Sequence, residues 1–321
     1  MVKPLSVNQQ AWEKAQSFLK NPEYYGVAIS KSTAGATIID AGVKASGGFA
    51  AGKLFTELCL GGAASVELGY KSYGDLDFPS VTITSDYPAV AMLGSQFAGW
   101  RIKDGDNIAI GSGPARAIAL KPKEIYEELG YTDQFDKAVI TLESNVLPSD
   151  ALIEKVLKNC PSVTAENLMV IVAPTASVAG LTQVTGRVVE VGIHKLHTLG
   201  LDPKVIRYAM GYAPIPPVGP DFEVAMARTN DVILYGGTVY LTVDYDDEAK
   251  LQQLVKDAPS INSKDYGKPF LQIFLDAEKD FYKIDGGLFA PAVLMINNAK
   301  TGRTFKAGQI NPKVLAQALG F

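Results

Sequence analysis

Thr182-Gln183-Val184-Thr185-Gly186-Arg187-Val188-Val189-Glu190-Val191-Gly192-Ile193-His194-Lys195-Leu196-His197 is the stretch on which the reading of this chain turns. At about 100° per residue, Gln183, Arg187, Glu190, His194 and His197 fall on one line, at steps of 4, 3, 4 and 3. Val184, Val188, Val189, Val191, Ile193, Leu196 and Leu199 cover most of the remaining circumference. The spacing predicts one helix over residues 182–199, apolar nearly all round and therefore buried, whose narrow polar strip must meet water or a wet cavity. The strip holds an arginine, a glutamate and both histidines of the chain, as one wall of an active site would. A solvated helix face carrying an ordinary Arg187–Glu190 ion pair is the competing reading. The narrowness of the strip weighs against it, and so does the order, since arginine ahead of glutamate opposes the helix dipole.

Outward from that helix, 321 residues exceed the usual size of one domain, so two are expected. Hydrophobic residues make up 47 % and charged residues 20 %, the balance of a soluble globular protein. A formal charge of −4 argues against a nucleic-acid or anionic-membrane partner, either of which favours a basic face. Two cysteines, Cys59 and Cys160, are too few for a disulfide framework or a metal cluster, and Leu58-Cys59-Leu60 reads as a buried thiol. The first residues turn polar without a signal-peptide core, and no run of about 18 apolar residues exists to span a membrane. A cytoplasmic protein is expected.

Strands are expected over residues 27–30, 36–40, 65–70, 80–84, 138–142, 168–173 and 205–213, with helices from Ser6, over residues 50–60 and 149–159, and after Asp86-Tyr87-Pro88. Residues 100–103 and 107–110 suggest a hairpin about Asp104-Gly105-Asp106. A second hairpin is expected where residues 230–234 and 238–243 flank Tyr235-Gly236-Gly237. Helices then follow over residues 247–256 and 270–278, a strand pair over residues 291–296 and 303–307, and a closing helix over 312–319. Strands and helices mix without strict β-α alternation, which gives an α+β (mixed α/β) class in two closely joined domains over residues 1–321, with no legible boundary.

Gly111-Ser112-Gly113-Pro114-Ala115-Arg116 reads as an anion loop or as a plain turn: small residues let an anion approach backbone N–H groups, and Arg116, Lys121 and Lys123 supply charge. It lacks the glycine spacing and Gly-Lys-Ser/Thr end of a P-loop, and a dinucleotide fingerprint fails at the third glycine. No Gly-x-Ser-x-Gly elbow marks a nucleophile. His194 and His197 lack the further Cys or His ligands of a metal site, so no metal is expected. Arg228-Thr229-Asn230-Asp231 reads equally as a capped turn or a ligand contact. Together these suit a metal-free enzyme acting on a small polar ligand, with Glu190 as the candidate acid or base, or a non-catalytic ligand-binding protein.

Several stretches carry a resemblance to a known family. They are Ile39-Asp40-Ala41-Gly42-Val43, Gly111 to Arg116 with Lys121-Pro122-Lys123-Glu124, Ala173-Pro174-Thr175-Ala176-Ser177, Gly186-Arg187-Val188-Val189-Glu190 and Arg228-Thr229-Asn230-Asp231. Tyr235-Gly236-Gly237, Tyr266-Gly267-Lys268-Pro269-Phe270, Phe281-Tyr282-Lys283-Ile284-Asp285 and Phe289-Ala290-Pro291-Ala292 continue the series. In these, and over essentially its full length, the chain resembles methenyltetrahydromethanopterin cyclohydrolases. Ala41 stands where that family often has Cys and Tyr87 where it often has His, so no catalytic role passes to either side chain.

The resemblance implies an enzyme of one-carbon metabolism that hydrates the methenyl bridge of a reduced pterin carrier to a formyl group. It also implies two α/β-type domains with a pocket between them, a homotrimer, and no metal or prosthetic group beyond the tetrahydromethanopterin-type substrate. The family's acid–base glutamate maps onto Glu190 and its arginine onto Arg187, the pair the helix strip isolates. The methenyl carbon bridges two nitrogens as a cationic amidinium, so it is electrophilic without a metal. Water attack needs a base within about 3 Å, and the departing nitrogen needs a proton, both of which one carboxylate can supply in turn. Arg187 is expected to hold Glu190 in place and keep it ionised. The expected substrate-binding set is Ser112, Gly113, Arg116, Lys121, Thr175, Ser177, Asn230 and Asp231.

Overall fold

The computed structural model describes residues 5–105 and 107–321, so Met1–Pro4 of the N-terminal reading and Asp106 of the expected turn lie outside the described residues. In chain order the elements are α1 (Val7–Lys20), α2 (Pro22–Tyr25), β1 (Ala28–Lys31), β2 (Thr37–Asp40), α3 (Phe49–Cys59), β3 (Ser65–Tyr73), β4 (Leu76–Ser85), β5 (Trp100–Asp104), β6 (Asn107–Ser112), α4 (Ala115–Ala119), α5 (Lys123–Leu129) and β7 (Ala138–Glu143). They continue as α6 (Asp150–Asn159), β8 (Leu168–Ala173), α7 (Val178–Thr185), α8 (Val188–Thr198), β9 (Ile206–Pro214), α9 (Phe222–Gly236), β10 (Thr238–Val243), α10 (Glu248–Asp257), α11 (Phe270–Asp276), β11 (Val293–Asn298), β12 (Thr304–Gly308) and α12 (Pro312–Leu319). The class is α+β. The chain forms two units, Met1–Ser65 with Ala89–Gln183, and Val66–Pro88 with Val184–Phe321.

The first unit is built on a six-stranded sheet in the order β1-β2-β8-β7-β6-β5. Its three middle strands β2, β8 and β7 run parallel, and the outer pairings are antiparallel. Leu168-Met169-Val170-Ile171-Val172-Ala173 is buried at every position, as a strand covered on both faces must be. On one side Ile38, Ile140, Leu142 and Val170 pack with Leu152 and Val156 of α6. On the other, Ile39, Val139 and Ile171 pack with Phe18 of α1 and with Phe55 and Leu58 of α3. Ser6 caps α1 by accepting from the Gln9 N–H. The helix expected after Pro88 is wound as a π-helix over Ala89–Gln96.

The second unit carries another six-stranded sheet, β12-β11-β10-β9-β4-β3, in which β10 and β11 are parallel. Helix α8 lies against β9 and β10. A Cβ on Gly211 would come within 2.7 Å of Val189, so only glycine permits this approach. Ala209, Gly211 and Ala213 alternate inward, while Tyr208 and Met210, with Tyr240 of β10 opposite Met210, stay exposed on the far face.

Two expectations need correction. The helix predicted over residues 182–199 is two helices, because α7 stops at Thr185 and Gly186-Arg187 form a turn before α8. Glycine is the poorest helix former after proline, and here it lets the Arg187 N–H fall back on Val184 O, three residues behind, at 3.1 Å. The hairpin about Tyr235-Gly236-Gly237 does not form. Residues 222–236 are α9, capped by Asp221, and the strand begins only at Thr238. Its run Val232-Ile233-Leu234-Tyr235 is buried on all sides, so it shows no helical period, and its β-branched residues imitate a strand.

Candidate active site

Glu190 stands third in α8, and Arg187 is the residue at the helix cap. Free N–H groups and the dipole of a first turn favour a carboxylate there. Both side chains are buried, Arg187 at 8 % exposure and Glu190 at 6 %, and Gln183 at the end of α7 is at 2 %. The strip is therefore no solvated face. His194 and His197 continue it half-buried, with ring centroids 6.5 Å apart. Burial, followed by the neighbouring His197, pushes His194 below its ordinary pKa, which favours a neutral imidazole. No group of three or more His, Cys, Asp or Glu among the described residues is placed to hold a metal.

In the first unit, chemistry gathers at the carboxyl ends of the parallel strands, where loops of open α/β sheets commonly build sites. Asp40 closes β2 and accepts four backbone N–H groups, from Gly42 at 3.0 Å, Val43 at 2.7 Å, Lys44 at 2.8 Å and Ala45 at 3.0 Å. Ser177, after β8, caps α7: it accepts from the Gly180 N–H at 3.0 Å and donates to Pro174 O at 2.8 Å. Gly42 lies so close that a Cβ there would stand 2.6 Å from Ser177 Oγ. Buried Thr175 donates its hydroxyl to Glu143, the last residue of β7.

The anion loop is placed differently. Strand β6 runs antiparallel to β7, with Ile110 opposite Glu143 and Ser112 opposite Thr141. The chain thus enters Gly113 heading away from the end that carries Thr175. Gly113 adopts φ +90° and gives its N–H to Ser95 O at 2.8 Å. Arg116 is fully buried. It donates to Lys121 O at 2.7 Å, Ser95 O at 3.0 Å and Leu93 O at 3.2 Å, and lies against the rings of Phe97 and Tyr126. These contacts make it a clamp within the unit, and none of them supports an anion-holding role. Lys121 is half-buried.

Asn230 and Asp231 lie on α9 of the second unit. Asn230 donates back to Met226 O at 2.9 Å, and Asp231, 1 % exposed, accepts the Phe270 N–H at 2.7 Å. Pro269 offers no side-chain cap to α11, so Asp231 serves in its place. Burial pushes the Asp231 pKa up to about 8.

Comparison with known proteins bears on the whole chain. The family model described as cyclohydrolase (MCH) matches residues 6–319. The chain is 46 % identical over 321 residues to the methenyltetrahydromethanopterin cyclohydrolase of Methanocaldococcus jannaschii, covering 99 % of each chain. The chain belongs to the methenyltetrahydromethanopterin cyclohydrolase family. Relatives of the same name in Methanothermobacter marburgensis and Methanosarcina barkeri are each 44 % identical, with at least 98 % of both chains covered. Membership makes this chain a cyclohydrolase, and no helix among its described residues is long and apolar enough to cross a membrane.

Two carboxylates at the cyclohydrolase strand ends, Glu143 and Asp40, have a placement that the local sequence does not declare. Glu143 was legible only as a carboxylate ending an apolar strand, because nothing local says that β7 and β8 run parallel and bring it beside Thr175. Asp40 likewise ends a short buried strand, and its four backbone N–H donors come from the loop that follows it. The buried thiol was foreseen: Cys59 Sγ lies 3.0 Å from Thr141 Oγ1, and burial alone raises the Cys160 pKa to about 12.

Proposed function

We propose that the enzyme hydrates 5,10-methenyltetrahydromethanopterin to 5-formyltetrahydromethanopterin, reversibly, with Glu190 as acid and base and Arg187 as the group that orients it. The observation that carries this reading is a buried carboxylate in the first turn of α8, three residues after a buried guanidinium, in a chain similar along its whole length to proteins named for this activity. Glu190 takes a proton as water adds to the methenyl carbon. It then returns that proton to the departing N10 as the carbon–N10 bond of the carbinolamine breaks, and the hydroxyl proton leaves to solvent as the formyl carbonyl forms on N5. As an anion, the carboxylate also favours the cationic substrate. The amidinium carbon is electrophilic in itself, so the reading calls for no metal or prosthetic group.

Thr175 and Ser177 are the residues of the first unit on which substrate binding is taken to rest. With Arg116 turned inward and Lys123 paired with Glu127, Lys121 is the cation of this stretch proposed to meet an anionic group of the substrate. We also propose a cytoplasmic homotrimer. Assembly of copies is supported by the exposed face of the second sheet, where Tyr208 and Met210 are each 48 % exposed and Tyr240 38 %. Large exposed apolar patches of this kind mark interaction surfaces.

Mixing purified protein with methenyltetrahydromethanopterin tests the activity. The methenyl absorbance should fall at a rate proportional to enzyme. Tight binding with decay only at the buffer rate would make the chain a pterin binder and reject the proposal.

A further inference from the structure

On β7, Val139, Thr141 and Glu143 alternate onto one face of the sheet. Thr141 Oγ1 meets Cys59 Sγ at 3.0 Å, and that thiol lies 3.6 Å from Gln183 Oε1 on α7. Glu143 is the next residue outward on the same face, at the carboxyl end of the parallel strands. Its backbone is anchored, since it pairs with Ala173 of β8 and the following Ser144 N–H bonds Ala173 O at 3.3 Å. Its side chain is anchored as well, one carboxylate oxygen accepting the hydroxyl of Thr175, which is 1 % exposed. The other oxygen meets no protein donor among the described residues, and the side chain is half-buried. A carboxylate fixed at one oxygen and open at the other is prepared to accept donors from a ligand.

We infer that Glu143 is a specificity-determining residue that accepts the paired N–H donors of the substrate's pterin head, N3–H and the 2-amino group. This rests on the pterin substrate proposed above. An aminopyrimidinone edge presents two donors side by side, and a carboxylate presents acceptors at matching spacing with lone pairs to spare for Thr175. Charge-assisted hydrogen bonds of this kind orient a ring as well as hold it. Glu143 therefore contributes to binding and selection, while the proton transfers stay with Glu190.

The test uses full-length Glu143→Gln and Glu143→Ala enzymes, with the methenyl pterin and its analogue lacking the 2-amino group. Glutamine keeps an acceptor for Thr175 but points a donor at a donor. Both variants should raise KM for the natural pterin about tenfold or more, with kcat held within about threefold. Wild-type enzyme should prefer the amino form, and the variants should lose most of that preference. Thr175→Val should raise KM less than either. An unchanged KM overturns the inference, and so does equal weakening toward both pterins, which would mean bulk charge attraction. A fall in kcat alone also overturns it. If Glu143→Ala does not fold, judged by its melting curve, the isosteric glutamine decides. Wild-type turnover tests the proposed function separately, so its failure would be distinguishable from failure here.

Discussion

Arg187-Val188-Val189-Glu190 and Arg228-Thr229-Asn230-Asp231 have the same spacing, arginine three residues ahead of an acid, and in both the acid is almost fully buried. Their surroundings differ. Glu190 opens a helix, where unpaired N–H groups and the dipole favour an anion, and Arg187 stands at the same helix end. Asp231 lies deep in α9 and has the Phe270 N–H at 2.7 Å, while Arg228 donates to the carbonyls of Pro217, Val218 and Leu319. Burial dominates there and the carboxyl holds its proton up to about pH 8. Spacing alone therefore does not make a reactive acid. Position along the helix separates the two: Glu190 is third in α8, and Asp231 lies in the interior of α9.

The contrast breaks most sharply at Glu190. Glu190→Gln should lower kcat by about a thousandfold, within the range of general acid–base catalysis, while the pterin still binds. Turnover within tenfold of wild type in the absorbance assay would remove Glu190 from the mechanism. Arg187 comes next: Arg187→Ala should reduce kcat by about ten- to a hundredfold, and Arg187→Lys should recover only part, because a point charge does not hold a carboxylate as a planar fork does. Full recovery by lysine would show that charge suffices without orientation.

Asp231 should sharpen the comparison through stability. Its folded pKa lies above the ordinary carboxyl value near 4, so the folded state holds the proton more tightly than the unfolded chain between about pH 4 and 8. That contribution is complete below pH 4 and is lost as pH rises to about 8. Asp231→Asn should flatten this fall, melting a few degrees above wild type at pH 8.5 and close to it at pH 5. A wild-type melting temperature that does not fall over that span contradicts a retained proton. The smallest effect on catalysis belongs to the exposed sheet: Met210→Lys with Tyr240→Lys should shift the mass by light scattering toward the monomer. An unchanged mass would show that the face is not where copies meet.

What could be read in the chain divides along physical lines. Buried parallel strands such as Leu168–Ala173 declare themselves as uninterrupted apolar runs, and capped helices such as α6 behind Ser149 declare their starts. The break at Gly186 was hidden because apolar period continues across it, and period does not register a local loss of helix hydrogen bonds. Helix α9 was hidden for the opposite reason, its buried second half having no polar face to set a period. Arg187 and Glu190 were visible through their spacing with Gln183. The bonds of Arg116 to the carbonyls of Leu93 and Ser95 were hidden, because charge in a glycine-rich stretch says nothing about carbonyls brought in from elsewhere in the chain. Glu143 depended on strand direction, which is a property of the whole sheet.

The arrangement of the units has a consequence for synthesis. The hairpin of β3 and β4 is made early, within residues 66–88, yet its partner β9 lies at Ile206–Pro214 and the intervening chain belongs mostly to the other unit. At ordinary translation rates that leaves on the order of ten seconds in which β4 emerges with an unsatisfied edge. A nascent chain stalled in that interval would display a strand in search of a neighbour, the condition in which truncated fragments aggregate.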